Sequence, residues 1–296
     1  MSNANDIYTA HFGLNHRPFN LVPDPDFLFW GPAHRRAFAI LEYGIITRAP
    51  ITLLTGEVGA GKTTLLRHLL RVMDDDVRIG LISNAQGQPD QLLRWILHAL
   101  DQRTTADQSY VDLFAQLQDH VIAEYAAGRR VVLIFDEAQN LGRDSLEELR
   151  MLTNINSGKD ELLQLILVGQ PELRDIIRRP DMTQFAQRVA AGFHIGTMSE
   201  VSVRDYIAHR LTVAGGSPDL FTADAVAVIH AQTGGVPRLV NQLCDLSLVY
   251  AFTADEPAVT ASVVNEVLAD GVFFAGGVGA EPLRVVNPIP RSSVVQ

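Results

Sequence analysis

Eight residues, Gly56-Glu57-Val58-Gly59-Ala60-Gly61-Lys62-Thr63, satisfy every fixed position of the pattern G-x-x-x-x-G-K-[ST]. The glycines let successive backbone N–H groups turn toward one point, where phosphate oxygens can be held. A helix opening at the end of such a loop adds the partial positive charge of its N-terminus. Lys62 can then reach the β- and γ-phosphates of a nucleoside triphosphate. The Thr63 hydroxyl can bind Mg²⁺, and Thr64 completes the phosphate-binding set. A second group supplies the opposite charge: Val131-Val132-Leu133-Ile134-Phe135 runs directly into Asp136 and Glu137. Asp136 can hold Mg²⁺ through water. Glu137 points differently and can polarise a water for attack. A carboxylate there separates a hydrolase from a protein that only binds nucleotide.

These residues need strands to deliver them and helices to cover the strands. Ile51 to Thr55, Val131 to Phe135 and Leu162 to Val168 are short continuous apolar runs, the mark of buried strands. Val77 to Ser83 reads as a further strand, and Phe193 to Ile195 as a last one. Helices are expected from Pro32 through Ile45, from Lys62 to Met73, near Gln88 to Leu100, Val111 to Ala127 and Asp144 to Asn156, and from Pro171 to before Pro180. Apolar strands alternating with helices predict an α/β fold, a parallel sheet with helices on both faces. After about Glu200 the strands stop. Helices near Val201 to Ala214, Ala223 to Gln232, Pro237 to Ala251 and Ala261 to Ala269 predict a small all-α lid domain. The expected division is an arm and first helix over 1–49, the α/β nucleotide-binding domain over 50–199, the helical lid over 200–270 and a flexible tail over 271–296.

Bulk composition narrows the function. The chain has 296 residues and a net charge of -10, which argues against coating nucleic acid by charge alone. Of 24 basic residues only Lys62 and Lys159 are lysines. Lys62 falls where a phosphate loop calls for a compact ammonium; Lys159 is assigned no function. One cysteine, Cys244, leaves no intramolecular disulfide and no cysteine-based zinc site. No signal peptide is read at the N-terminus, and no stretch approaches the ~20 apolar residues of a membrane helix. A soluble, cytoplasmic protein without an integral membrane segment is expected. His194 is read as packing and Cys244 as a small core residue.

The two motifs followed by a helical lid resemble the P-loop NTPases of the AAA+ ATPase class, which implies ATP and Mg²⁺ as cofactors and a homo-oligomer. By that resemblance Gln170, in LILVGQPEL, is the first sensor, orienting water between the γ-phosphate and the catalytic carboxylate. Arg238, in Gly235-Val236-Pro237-Arg238, is the second sensor, reaching the γ-phosphate from the lid. Arg188 is the arginine finger offered to a neighbouring subunit, with Arg178 and Arg179 as competitors. The arm YTAHFGLNHRPFNLVPDPDFLFW with GEVGAGKTT, FDEAQNL, GQPEL and GGVPRLVN, in this order, looks like the ATPase domain of the general secretion pathway protein A (ExeA) type, from Tyr8 to Ala269. That likeness implies that Phe and Pro residues of the arm flank the adenine, although core packing explains the same aromatics equally well. Longer members continue into a transmembrane helix and a peptidoglycan-binding domain. This chain resembles the shorter, ATPase-only relatives encoded beside pilus or exopolysaccharide/exosortase systems.

The function so implied is a Mg-dependent, ATP-hydrolysing motor or switch. It would serve a cell-envelope assembly, secretion or polysaccharide export system, with protein partners in a membrane-associated assembly. The alternative is a nucleic-acid-associated regulator of the transposition-target-selection kind. Against it, Arg35, Arg36, Arg67, Arg71, Arg94, Arg129 and Arg130 are scattered and outnumbered by acids.

Overall fold

The computed structural model describes residues 7–22, 24–74, 76–83, 89–157 and 160–274. Lys159 and the tail beyond 274 lie outside the described residues. The α/β part contains helices α1 (Pro32–Ile46), α2 (Lys62–Val72), α3 (Pro89–Ala99), α4 (Tyr110–Ala126), α5 (Arg143–Leu152), α6 (Pro171–Ile177) and α7 (Thr183–Arg188). Its strands are β1 (Ile51–Gly56), β2 (Val77–Ser83), β3 (Arg130–Asp136), a polar ribbon β4 (Asn156–Ser157) and β5 (Asp160–Glu161), then β6 (Leu163–Gly169) and β7 (Val189–Ile195).

Five of these strands form one parallel sheet in the order β2-β3-β6-β1-β7. The three central strands are buried on both faces, which is why their sequences are predominantly apolar. Alternate residues split between two cores. Leu53, Leu133, Phe135, Leu165 and Leu167 pack with α3, α4 and α5 on one face. Leu54, Val132, Ile134, Ile166 and Val168 pack with α1 and α2 on the other. The strand order seats β6 between β1 and β3, with Thr55 opposite Gly169 and Phe135 opposite Leu167. The ends of all three strands therefore meet at the carboxyl edge of the sheet, where ligands bind in open α/β folds.

Two expectations about extent are corrected. The last strand starts at Val189, directly after Arg188, rather than at Phe193. As an edge strand it is only partly buried, and Gly192 interrupts its apolar run. The helix expected to reach Asn156 stops at Leu152. The chain then turns through Ile155 into the ribbon, whose two-residue polar strands carry no periodic signal.

The lid consists of α8 (Glu200–Val213), α9 (Ala223–Thr233), α10 (Pro237–Thr253) and α11 (Ala261–Ala269). Ser199 caps α8 by accepting the N–H of Ser202, and Pro237 opens α10. The arm is built into this lid. Tyr8, Leu14 and Phe19 are buried in the same core as Val203, Leu211, Val240 and Leu248. Each large side chain so buried contributes about 1.5–3 kcal/mol by leaving water. Tyr8 and Arg17 both donate to Asp245 of α10. Cys244 is buried in this core, which raises its thiol pKa. Among the described residues, no helix is long and apolar enough to cross a membrane.

Candidate active site

The phosphate loop joins β1 to α2. Gly56 closes the buried strand, Glu57 and Val58 are exposed, Ala60 is buried, and Gly61 caps α2. Leu65, Leu66 and Leu69 hold α2 against the sheet. Lys62 is only 6% exposed. Its Nζ donates to the carbonyls of Gly56 (2.7 Å) and Glu57 (2.9 Å), so the ammonium is curled inside the loop it serves. Burial lowers its pKa, opposed by the charges of Glu137, Asp136, Glu57 and Glu172. Outside the motif, His34 of α1 contributes a prop. Its Nε2–H donates to the Ala60 carbonyl at 3.0 Å, and burial holds its pKa below the ordinary value. Because a carbonyl only accepts, this bond fixes the tautomer.

The Thr63 hydroxyl donates to Asp136 Oδ2 at 3.2 Å. Asp136 also accepts the Glu137 N–H at 3.0 Å, and its pKa is raised, chiefly by burial. These two oxygen donors suit Mg²⁺, which prefers one or two protein oxygens, retained waters and substrate phosphates. Among the described residues no group of three or more His, Cys, Asp or Glu could hold a metal by itself.

Glu137 has a left-handed backbone, φ 56° and ψ 39°, uncommon for a side chain of this size. Its Oε2 accepts from Gln139 Nε2 at 2.6 Å and from Gln170 Nε2 at 3.1 Å. Burial would raise the carboxyl pKa; these two amides and the charge of Lys62 bring it below the ordinary value. Gln139 Oε1 in turn accepts the Gln170 N–H at 3.0 Å. Gln170 precedes Pro171 at the start of α6, so its side chain is held at the sheet edge.

A cleft above these groups is lined by Gly59, Lys62, Thr63, Thr64 and Glu137 from the α/β part, and by Arg238 from the lid. The lid comes close: a Cβ on Gly59 (φ 79°) would lie 2.4 Å from the Arg238 Cβ. Arg238 is exposed and has no hydrogen-bond or ion-pair partner among the described residues. Farther along the cleft lie Phe27, Phe29, Tyr206, Arg210 and Asn241. Arg210 sits over the Phe27 ring and donates to Tyr206, which donates to Asn241 (2.8 Å), which reaches the Asn20 carbonyl (3.4 Å). Phe19 is 1% exposed within the lid core and cannot meet a base; Phe27 and Phe29 border the cleft.

Arg188 stands apart. It bonds Asn154 and Glu161 (3.5 Å) at the amino end of β7. That is the opposite edge of the sheet, a seven-residue strand or about 20 Å away at roughly 3.3 Å per residue. Arg178 and Arg179 are exposed at the end of α6, Arg179 paired with Asp181 at 3.2 Å. His194 pairs with Thr55 between β7 and β1 (3.1 Å). The structure therefore gathers Lys62, Thr63, Asp136, Glu137, Gln170 and Arg238 at one edge and leaves Arg188 at the other. Sequence reasoning missed Gln139, His34 and the Tyr206–Arg210–Asn241 network. For Gln139 the nearest signal was its place in FDEAQNL.

A family described as an AAA domain matches residues 46–177. The general secretion pathway protein A of Aeromonas hydrophila is 40% identical over 246 residues, covering 83% of this chain and 45% of that protein. The chain thus spans about half the length of this curated relative. Among solved structures, Cdc6p from Pyrobaculum aerophilum is similar with a TM-score of 0.64 at 18% identity, covering 84% of this chain and 71% of that one. Drosophila ORC bound to DNA is similar with a TM-score of 0.67 at 18% identity, covering 93% and 68%. At such identities the likeness is one of fold.

Proposed function

Because the chain belongs to the AAA+ ATPases of the general secretion pathway protein A type, we propose that it hydrolyses ATP with Mg²⁺ and drives or switches a cell-envelope assembly. One observation carries the chemistry. The Glu137 carboxylate is held by two amide donors beside a complete phosphate loop and the Thr63–Asp136 pair.

On ATP binding, Lys62 exchanges its two loop carbonyls for β- and γ-phosphate oxygens. Thr63 and Asp136 would hold Mg²⁺, which neutralises phosphate charge when bound. Glu137 takes a proton from water as the water oxygen bonds to the γ-phosphorus. The bond from that phosphorus to the β,γ-bridging oxygen breaks and ADP leaves. Gln170 orients the water, and Arg238 reports the γ-phosphate to the lid. Since the arm is packed into the lid core, lid rotation would carry the arm with it. Arg188, too far to serve its own site, would act on a neighbouring subunit of a homo-oligomer.

The client, the envelope system (secretion, pilus or polysaccharide export) and attachment to the inner membrane through a partner belong to this proposal. A protein partner is favoured over nucleic acid by how the scattered arginines are used. Arg71, Arg129 and Arg130 pair with Asp26, Glu124 and Asp76, and Arg94 donates to backbone carbonyls.

The test is phosphate release by purified protein. Glu137→Gln should cut turnover by about 10²–10⁴-fold, the usual share of a general base, while nucleotide still binds. Lys62→Ala should lose binding. Full hydrolysis by the Glu137 variant refutes the mechanism.

A further inference from the structure

We propose that Gln139 is a positioning residue that fixes the Glu137 carboxylate and ties it to Gln170, so that base and sensor act as one unit. The inference rests on the reading of Glu137 as the base. Three hydrogen bonds close a ring: Gln139 Nε2 to Glu137 Oε2 (2.6 Å), Gln170 Nε2 to the same oxygen (3.1 Å), and Gln170 N–H to Gln139 Oε1 (3.0 Å).

Both ends of the Gln139 amide are used, so its orientation is determined. Flipping it would set oxygen against oxygen and N–H against N–H, losing both bonds. The short 3-10 turn Ala138–Asn140 presents the side chain, anchored by buried Ala138. The opposite wall is Gly169, where a Cβ would lie 2.9 Å from Gln139 Oε1. A glutamate at a strand end otherwise samples many rotamers. Two donors on Oε2 confine it, and Oε1, which accepts nothing from the described residues, is left for the attacking water. Gln139 reaches the cleft only through the carboxylate it holds: its Nε2 is spent on Glu137 and its Oε1 on the Gln170 N–H.

The experiment compares Gln139→Ala, Gln139→Glu and Glu137→Gln in ATP turnover, with nucleotide Kd and thermal melting measured beside it. Gln139→Ala should lower kcat by about tenfold to a hundredfold, the range that misplacement of a reacting group produces, with KM and Kd unchanged. Gln139→Glu keeps the acceptor for the Gln170 N–H but sets an anion against Glu137, so kcat should fall at least as far. It serves as the second variant if alanine unfolds the turn. In a Gln170→Ala background, Gln139→Ala should cost much less than alone, because both act through one oxygen. Wild-type kcat in both Gln139 variants, with Glu137→Gln inactive, overturns this inference alone. So does a loss of kcat matched by a loss of nucleotide binding, or full additivity with Gln170→Ala. Turnover retained by Glu137→Gln overturns instead the reading on which it rests.

Discussion

Gly235→Ala should destabilise the lid more than alanine at Gly215, Gly216 or Gly271. Gly235 joins α9 to α10 with φ 73°, and its carbonyl accepts the Met198 N–H at 2.9 Å. A Cβ there would lie 2.0 Å from the Met198 carbonyl oxygen, 2.9 Å from its carbon and 3.0 Å from its nitrogen. All three are backbone atoms, so no side chain can swing aside. Left-handed backbone costs an alanine about 1–2 kcal/mol, and overpacking a tight site adds about 1–3 kcal/mol. The sum is about 2–5 kcal/mol, and at roughly 2–4 °C per kcal/mol the melting point should fall by about 4–20 °C. The displacement also moves Arg238, three residues along, so ATP turnover should fall with it. Circular dichroism melts of the nucleotide-free protein provide the assay. Gly196→Ala is the control, an exposed glycine near the same linker with nothing within 4 Å of its added Cβ. Gly235→Asn tolerates the left-handed backbone but keeps the overlap, and should retain most of the loss. If Gly235→Ala melts with Gly196→Ala, the linker is not the rigid junction described.

Two further outcomes follow from the same geometry. His34 has a folded pKa below its unfolded value near 6.5, because of burial. As pH falls through that window the unfolded chain takes up the proton first, so the stability held above it is lost. Melting temperatures between about pH 5 and 8 should therefore drop on the acid side, and His34→Gln should flatten part of that slope; His120 and His209, also lowered by burial, keep the rest. Arg188→Ala should lose turnover by up to about 10³-fold if it serves a neighbouring subunit. Mixing it with inactive Glu137→Gln protein should restore some activity, since mixed interfaces pair an intact finger with an intact base; no restoration removes the trans role.

Much of the site was legible because its pieces are local. Gly56 to Thr63 is one contiguous loop, and Asp136 and Glu137 follow an apolar strand that identifies itself. The central strands were readable because burial on both faces favours apolar residues, and the few polar ones are hydrogen-bonded, as Gln164 is to the Gly44 carbonyl. β7 was read short because an edge strand is free of that constraint. Gln139 was invisible because a three-residue turn has no period, and its partner Gln170 is 31 residues away. The arm was read as a unit of its own, yet Tyr8 meets Asp245 across 237 residues of chain. Its aromatics looked alike in sequence, but Phe19 was drawn into the lid core while Phe27 was left at the cleft.

The sequence by itself determined which groups are present: a phosphate loop with its lysine, a hydroxyl and carboxylate suited to Mg²⁺, and a second carboxylate at the same strand end, the proposed base. Those signals depend on residue type and short spacing, which the chain carries wherever it folds. Only the tertiary structure decided how they act together. The strand order inserts β6 between β1 and β3 and so brings Gln170 to Glu137. The packing of α10 over the phosphate loop brings Arg238 to Gly59. The length of β7 takes Arg188 to the far edge. The first two are long-range contacts set by which faces find mutual burial, and no local pattern along the chain encodes that choice.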